Sequence, residues 1–289
     1  MAMKTNEINI RDPFVLPYEG RYYMYGTRGA TTFTGYADGF DVYVSSDLEN
    51  WEGPIEIFHR PEGFWADHNF WAPEAHVYNG KIYLFATFAG EGTRMGTASL
   101  AADDPRGPFV PLSDGTLTPE SWRCLDGTLY ASPEGEPYLV FCHEWTQVRD
   151  GEICAVRLSS DLSRAVGEPK LLFRASQGAP SIWPYREINW VTDGPFLLRT
   201  DDGRLHLLWS SFGEGGYVQA LAHSDTDGID GHWTVDRELL FDRNGGHGMI
   251  FRDFAGQYTL TLHSPNKTLM ERPVFRRLLY ENGAFRVCK

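Results

Sequence analysis

The chain has 289 residues, 42% hydrophobic and 14% aromatic with nine Trp, enough apolar material for a substantial core and a length that suits one large all-β domain as well as two smaller ones. A formal net charge of −13 at pH 7 argues against the basic stripe of a nucleic-acid binder, and no apolar run approaches the roughly 18 residues of a membrane span. The opening MAMKTNEINI lacks the apolar stretch of a secretory signal, so the expected location is the cytoplasm, with export of a trimmed mature chain left open. Cys124, Cys142, Cys154 and Cys288 show no CxxC spacing and no paired His nearby; free thiols are expected rather than a zinc or redox centre.

Helical periodicity is nearly absent, replaced by short aromatic or β-branched runs broken by Gly, Asp and Pro. In chain order, RYYMYGT (21–27) leads to DVYVSSDLENWEGP (41–54), and GKIYLFATF (80–88) to MGTASLAADDPRGPF (95–109). EPYLVFCHEW (136–145) leads to ICAVRLSSDLSRAVGEP (153–169), and RLHLLWSSF (204–212) to YVQALAHSDTDGIDGHW (217–233). QYTLTLHSP (257–265) leads to VFRRLLYENGAF (274–285). One unit is written five times: strand, connection, strand, polar turn. Repeats of about 40–50 residues mark stacked or radial folds. All-β units of this kind predict a five-bladed β-propeller, four strands to a blade, with residues 1–289 forming one domain.

Each unit is preceded by an opening strand: IRDPFVL (10–16), WAPEAHVY (71–78), CLDGTLYA (124–131), VTDGPFLL (191–198) and GGHGMIF (245–251). Each opening carries one ionisable residue at its mouth: Asp12, Glu74, Asp126, Asp193 and His247. In a propeller the first strand of each blade lines the axis, so these five are expected to converge on one pocket. The chain holds eight Asp-Gly pairs, and any single one reads as a hairpin turn. Asp38, Asp114, Asp150 and Asp202 fit that reading, whereas Asp126 and Asp193 open strands in step with the other three.

Carboxylates crowded into one cleft raise one another's proton affinity through like charge and desolvation. One then stays protonated as a general acid while another stays ionised as a base, the division of labour of glycoside hydrolysis.

RDP near the N terminus, WAPE opening the second blade and Gly-His-Gly opening the fifth resemble glycoside hydrolase family 43, five-bladed propeller enzymes acting on arabinofuranosides, xylosides and some galactosides. The resemblance runs from RDPFV to ERPVF. It implies an inverting mechanism with Asp12 as general base, Asp126 as the carboxylate that orients the acid and raises its pKa, and His247 at the axis. No organic cofactor is implied; calcium or another hydrated cation near His247 is compatible with it. Where the family pattern has Glu-Gly-Pro for the general acid, this chain has Asp193-Gly194-Pro195. Asp is one methylene shorter, and proton transfer needs hydrogen-bond reach. Three alternatives stand: Asp193 is still the acid, another carboxylate has taken over, or the chain only binds sugar. Of the replacements, Glu144 in FCHEW ranks ahead of Glu74, because an antiparallel return strand brings Glu144 back to the face where Asp126 begins.

Trp71 and Trp145 flank the expected pocket and suit sugar stacking, the alternative being packing between blades. His143 and His263 end second strands on the pocket side and are candidate substrate contacts. Arg272, in MERPVF, resembles the family's substrate-binding Arg, with a surface ion pair as the plain alternative. SDTDGIDGHW (224–233) lacks the Gly and terminal Glu of an EF-hand and reads as a blade turn. No GxSxG, P-loop or dinucleotide fingerprint occurs. The expected activity is release of a non-reducing-end pentose or furanose from plant-type oligosaccharides, with loops 27–40 and 59–70 walling the pocket. A catalytically impaired sugar-binding propeller is the alternative. A retaining fructan-type propeller also shares RDP, but its Asn-Asp-Pro-Asn-Gly and Glu-Cys motifs are missing here.

Overall fold

The five repeated units become five antiparallel sheets arranged as the blades of a β-propeller. The computed structural model describes residues 2–34, 36–226 and 228–288. Asp227, within the turn expected at 224–233, and Gly35, within the loop 27–40, lie outside the described residues. Blade I contains β1 (Met3–Lys4), β2 (Ile10–Tyr18), β3 (Arg21–Arg28), β4 (Gly39–Ser45) and β5 (Asn50–His59). Blade II contains β6 (His68–Tyr78), β7 (Lys81–Ala89), β8 (Gly96–Ala102) and β9 (Val110–Pro111); blade III, β10 (Cys124–Ala131), β11 (Pro137–His143), β12 (Glu152–Leu158) and β13 (Ala165–Arg174). Blade IV contains β14 (Asp193–Arg199), β15 (Leu205–Gly213), β16 (Gly216–Ser224) and β17 (Trp233–Val235); blade V, β18 (Gly246–Arg252), β19 (Tyr258–Ser264), β20 (Arg272–Glu281) and β21 (Ala284–Val287). Strands within a blade are sequential neighbours, so the topology is up-and-down, with β1 added outside β5.

Apolar alternation places side chains between blades, where facing sheets bury them against each other. Phe40 and Phe58 of blade I meet Phe70 and Phe88 of blade II, with ring centroids 5.7 Å apart for both Phe40–Phe70 and Phe40–Phe88. Phe173 of blade III meets Trp209 of blade IV edge-on at 5.4 Å. Full burial of such a ring contributes roughly 1.5–3 kcal/mol, and here the aromatic-rich composition finds its main use.

All five inner strands share a bulge near the pocket end. Their pairing with the second strand shifts register between Arg11 and Phe14, Trp71 and Glu74, Leu125 and Thr128, Asp193 and Phe196, and Gly246 and Met249. The residue after the first of each pair has positive φ: Asp12 (55°), Ala72 (46°), Asp126 (56°), Gly194 (52°) and His247 (49°). A bulge frees a buried backbone N–H that must find a partner, and the partner lies on the preceding blade. Ala72 N donates to Thr27 Oγ1 at 2.7 Å, Asp126 N to Thr87 Oγ1 at 2.8 Å, His247 N to Ser210 Oγ at 2.7 Å and Asp12 N to His263 Nδ1 at 3.2 Å. At the equivalent place in blade III stands Cys142, and Gly194 N donates instead to Asp126 Oδ2 at 3.0 Å. This ring of bonds ties each blade to the next around the axis.

Among the described residues, no strand crosses from one terminus into the other's blade. The seam between blades V and I is therefore held by packing and side chains: Asn9 Nδ2 donates to Glu271 O (2.9 Å), Arg11 pairs with buried Glu271 (2.8 Å), and Arg272 Nε donates to Asn6 O (3.0 Å).

Candidate active site

The bulges aim residues of all five blades at one point. A pocket of about 210 Å³ at this end of the axis is lined by Asp12, Asp126, Asp193, Glu144, His247 and Trp71, together with Arg11, Thr32, Phe33, Leu125, Trp145 and Tyr217. The space suits a single sugar ring rather than a chain.

At its centre the His247 Nδ1 lies 3.2 Å from Asp12 Oδ1 and 3.7 Å from Asp126 Oδ2. Burial alone would lower the His247 pKa, but Asp12, Asp126 and Asp193 around it outweigh burial and raise it. Burial would raise the Asp12 carboxyl; the charges of His247 and Arg11 and the Thr27 hydroxyl, 2.6 Å from Oδ2, overturn that and hold it below the ordinary carboxylate range. Thr27 donates there, since an ionised carboxylate can only accept, while its oxygen accepts the Ala72 N–H. A hydrogen bond and a cation that both favour the ionised form keep Asp12 a carboxylate.

The other carboxyls go the opposite way. Burial, with Asp193 and Asp12 nearby, pushes Asp126 up to about 7. Burial also raises Asp193, against the opposing His247 charge and the Tyr217 hydroxyl, which donates to Oδ2 at 3.0 Å. Burial pushes the Tyr217 phenol well above its ordinary range, so it remains a donor. Glu144, pushed up to about 7 mainly by burial and opposed by Arg123 at 3.4 Å, closes the pocket wall. It caps the short helix α1 (Trp145–Val148), and its backbone N–H donates to Arg123 O at 2.8 Å.

Several expected residues stand elsewhere. Glu74 comes two residues after the positive-φ position of its strand, which is Ala72, and pairs with His76 at 3.1 Å among the residues beneath the pocket; His76 packs on Phe14 at 4.9 Å. Asp193 comes one residue before its positive-φ position, Gly194, and so occupies the place held by Arg11 and Trp71 in blades I and II. His143 is tied to Glu152 (3.0 Å) and Gln147 (3.1 Å) behind the wall. His263 is fully buried, and burial pushes it down to about 3, consistent with a neutral ring whose Nδ1 accepts the Asp12 N–H. Arg272 spends its guanidinium on the carbonyls of Asn6, Leu269 and Glu271 and is not in the pocket lining.

The pocket's guanidinium is Arg11, fixed by Glu271 and by Asn266 (2.9 Å), with Phe33 5.2 Å away. Its only sequence signal was adjacency to Asp12. Thr32 and Phe33 come from the loop 27–40 that was expected to wall the pocket, and Trp71 Nε1 donates to Thr32 O at 2.8 Å; within that loop nothing singled out these two residues. Tyr217 opens an ordinary apolar strand run. Trp65 of segment 59–70 lines a neighbouring cavity instead.

The His247 Nε2 is buried with no hydrogen-bond partner. Only the neutral ring could ligate a hydrated cation through Nε2, whereas the surrounding carboxyls favour the protonated ring, and among the described residues no cluster of three or more His, Cys, Asp or Glu could hold a metal.

Comparison with known proteins agrees with this architecture. The model of glycosyl hydrolases family 43 matches residues 6–283. An extracellular endo-α-(1→5)-L-arabinanase of Bacillus subtilis is 26% identical over 155 residues, 50% of this chain and 46% of that protein. A xylosidase/arabinosidase of Humicola insolens is 28% identical over 158 residues, 50% of this chain and 47% of that one. The matches thus span about half the length of these curated relatives. The crystal structure of an endo-arabinase from Bacteroides thetaiotaomicron superposes with a TM-score of 0.89 at 38% identity, covering 97% of this chain and 98% of that one. With its fold, its converging carboxyls and a family match over nearly its whole length, the chain belongs to glycosyl hydrolases family 43.

Proposed function

We propose that the chain is an inverting glycoside hydrolase that cleaves a pentofuranoside or related sugar, an α-L-arabinofuranoside first, with β-D-xylosides and galactofuranosides as further substrates. The observation that carries this reading is the opposed proton affinity of buried carboxyls in one pocket: Asp12 is held ionised while Asp126, Asp193 and Glu144 are raised. The arabinanase names of the matched proteins put arabinofuranosides ahead of the other sugars.

In this mechanism Asp12 takes a proton from water as the water oxygen bonds to the anomeric carbon. The bond from that carbon to the leaving oxygen breaks, and Asp193 gives that oxygen its proton. Asp126, on the His247 side of the pocket and accepting from Gly194 N next to Asp193, positions the acid, whose proton affinity is raised by burial and by the charge of Asp12. Protons return through solvent. Arg11 and Trp71 orient the ring.

A second reading makes Glu144 the acid, favoured by its longer side chain and its value of about 7. The test is turnover on aryl α-L-arabinofuranoside, β-D-xyloside and β-D-galactofuranoside beside natural oligosaccharides, with the first-formed anomer read by NMR. A product of opposite configuration supports the proposal; a retained configuration rejects it. No turnover on the whole panel favours a sugar-binding propeller.

A further inference from the structure

A second, larger cavity lies beside the catalytic pocket between the loops of blades II and III. It measures about 420 Å³, within the size range of ligand sites, and Trp65, Trp122, Arg94, Asp114, Thr116 and Glu120 line it. From the geometry we infer that this cavity is a second carbohydrate subsite, which holds the next sugars of a neutral glycan chain whose reacting unit sits over Asp12. The inference rests on the activity proposed above and extends it to the class of substrate: a chain rather than a single glycoside.

The first support is the platform. Trp122 stacks flat on His143, with centroids 4.1 Å apart and planes at 10°. His143 is held through both ring nitrogens by Glu152 and Gln147. Gln147 also accepts the Arg123 N–H at 2.6 Å and donates to Ser121 O at 3.1 Å, clamping the segment on both sides of Trp122. One indole face is therefore covered and the ring is fixed before any ligand arrives, while the ring still lines the cavity. Pre-ordering of this kind removes part of the entropic cost of binding, and an amphipathic aromatic plane suits a sugar face better than a charged ligand.

The second support is the polar rim. Asp114 and Glu120 can accept from sugar hydroxyls, and Arg94 and Thr116 can donate to ring and hydroxyl oxygens. Two carboxylates against one guanidinium disfavour an anionic polymer.

The third support is continuity. Trp122 in the cavity closes a turn two residues before β10, the strand that carries Leu125 and Asp126 of the catalytic pocket, so Trp122 and Asp126 are at most about 13 Å apart along the chain. Glu144, in the catalytic wall, follows His143 directly and bonds Arg123 through its backbone. A catalytic pocket of about 210 Å³ leaves the rest of a chain outside it, and the adjoining cavity is a preformed place for it.

The experiment uses the full chain with Asp12→Asn to stop turnover, titrated by calorimetry with α-1,5-linked arabino-oligosaccharides of increasing length. Affinity is expected to rise with length, and adding Trp122→Ala to weaken binding of the longer chains about tenfold, as truncation of a central aromatic anchor does. Trp122→Phe should recover most of the loss. Because Trp122 packs on its surroundings, Arg94→Ala with Glu120→Gln, both exposed, provides a pair with little effect on folding that should also flatten the length dependence. A length dependence unchanged in all these variants, or none in the parent, overturns the subsite. Equal binding of an anionic oligogalacturonate overturns the assignment to neutral glycans. Hydrolysis by the unsubstituted chain, measured separately, tells the two readings apart. If hydrolysis occurs without Trp122-dependent binding, the subsite alone falls. If Trp122-dependent binding occurs without hydrolysis, the activity alone falls.

Discussion

The Nδ1 of His247 stands 3.2 Å from Oδ1 of Asp12, and each group pushes the other towards its charged form. Asp12 is lowered and His247 raised in spite of burial that opposes both shifts. The pair therefore keeps one carboxylate ionised in the pocket, as the proposed base requires. Replacing His247 with Asn removes the cation and leaves burial to dominate at Asp12. The acid limb of the kcat/KM profile should then move upward by about one unit or more, and an unmoved limb would mean that Asp12 is not the titrating base. Asp12→Asn itself should lower turnover at least about a hundredfold, measured on an aryl glycoside.

The two candidate acids separate by leaving group. An activated aryl leaving group needs little protonation, so loss of the acid shows on natural oligosaccharides. Asp193→Asn is expected to cost at least about a hundredfold there and much less on the aryl glycoside. Glu144→Gln is expected to cost less than Asp193→Asn on both. The reverse order would transfer the role to Glu144.

Asp126 carries a stability cost with a defined sign. Its folded value, about 7, lies above the ordinary 3.8, so the folded chain keeps a proton that the unfolded chain releases. That contribution is complete below the unfolded value and is lost as pH rises through the folded one. Asp126→Asn has no such loss. Its Tm advantage over the natural sequence should widen from about pH 4 to about pH 7 by a few degrees and then level off, while activity falls. Thermal melts across this range decide it.

Thr27 serves two groups with one hydroxyl, accepting from Ala72 N and donating to Asp12 Oδ2. Thr27→Val leaves a buried N–H without its partner, at a cost of about 1–3 kcal/mol, and also weakens the hold on the ionised base. Both Tm and kcat should drop, and Thr27→Ser should restore both. Rescue of stability without rescue of kcat would confine Thr27 to the fold.

Arg272 binds the carbonyls of the seam between blades I and V. Arg272→Ala should lower the denaturant midpoint with little change in KM. A rise in KM at unchanged stability would return Arg272 to substrate binding.

The strands and their fivefold repetition were legible in the sequence because alternation is a local property that survives without tertiary context. The converging openings were legible for the same reason, and Asp12, Asp126, Asp193 and His247 do meet in one pocket. What the linear pattern could not show is the bulge. A positive φ is adopted here by Asp, Ala, Gly and His alike, so nothing marked Ala72 rather than Glu74 as the second blade's residue at that position. At Gly194 a Cβ would stand 2.5 Å from the His247 ring, so the Asp193-Gly194 pair that resembles a turn is instead a site of close approach between blades. The choice between Arg11 and Arg272, and the wall made by Phe33 and Tyr217, depended on how distant segments close the ring. Spacing along a chain determines which face of a strand a side chain takes; only packing between blades determines which groups share a pocket and which keep their protons.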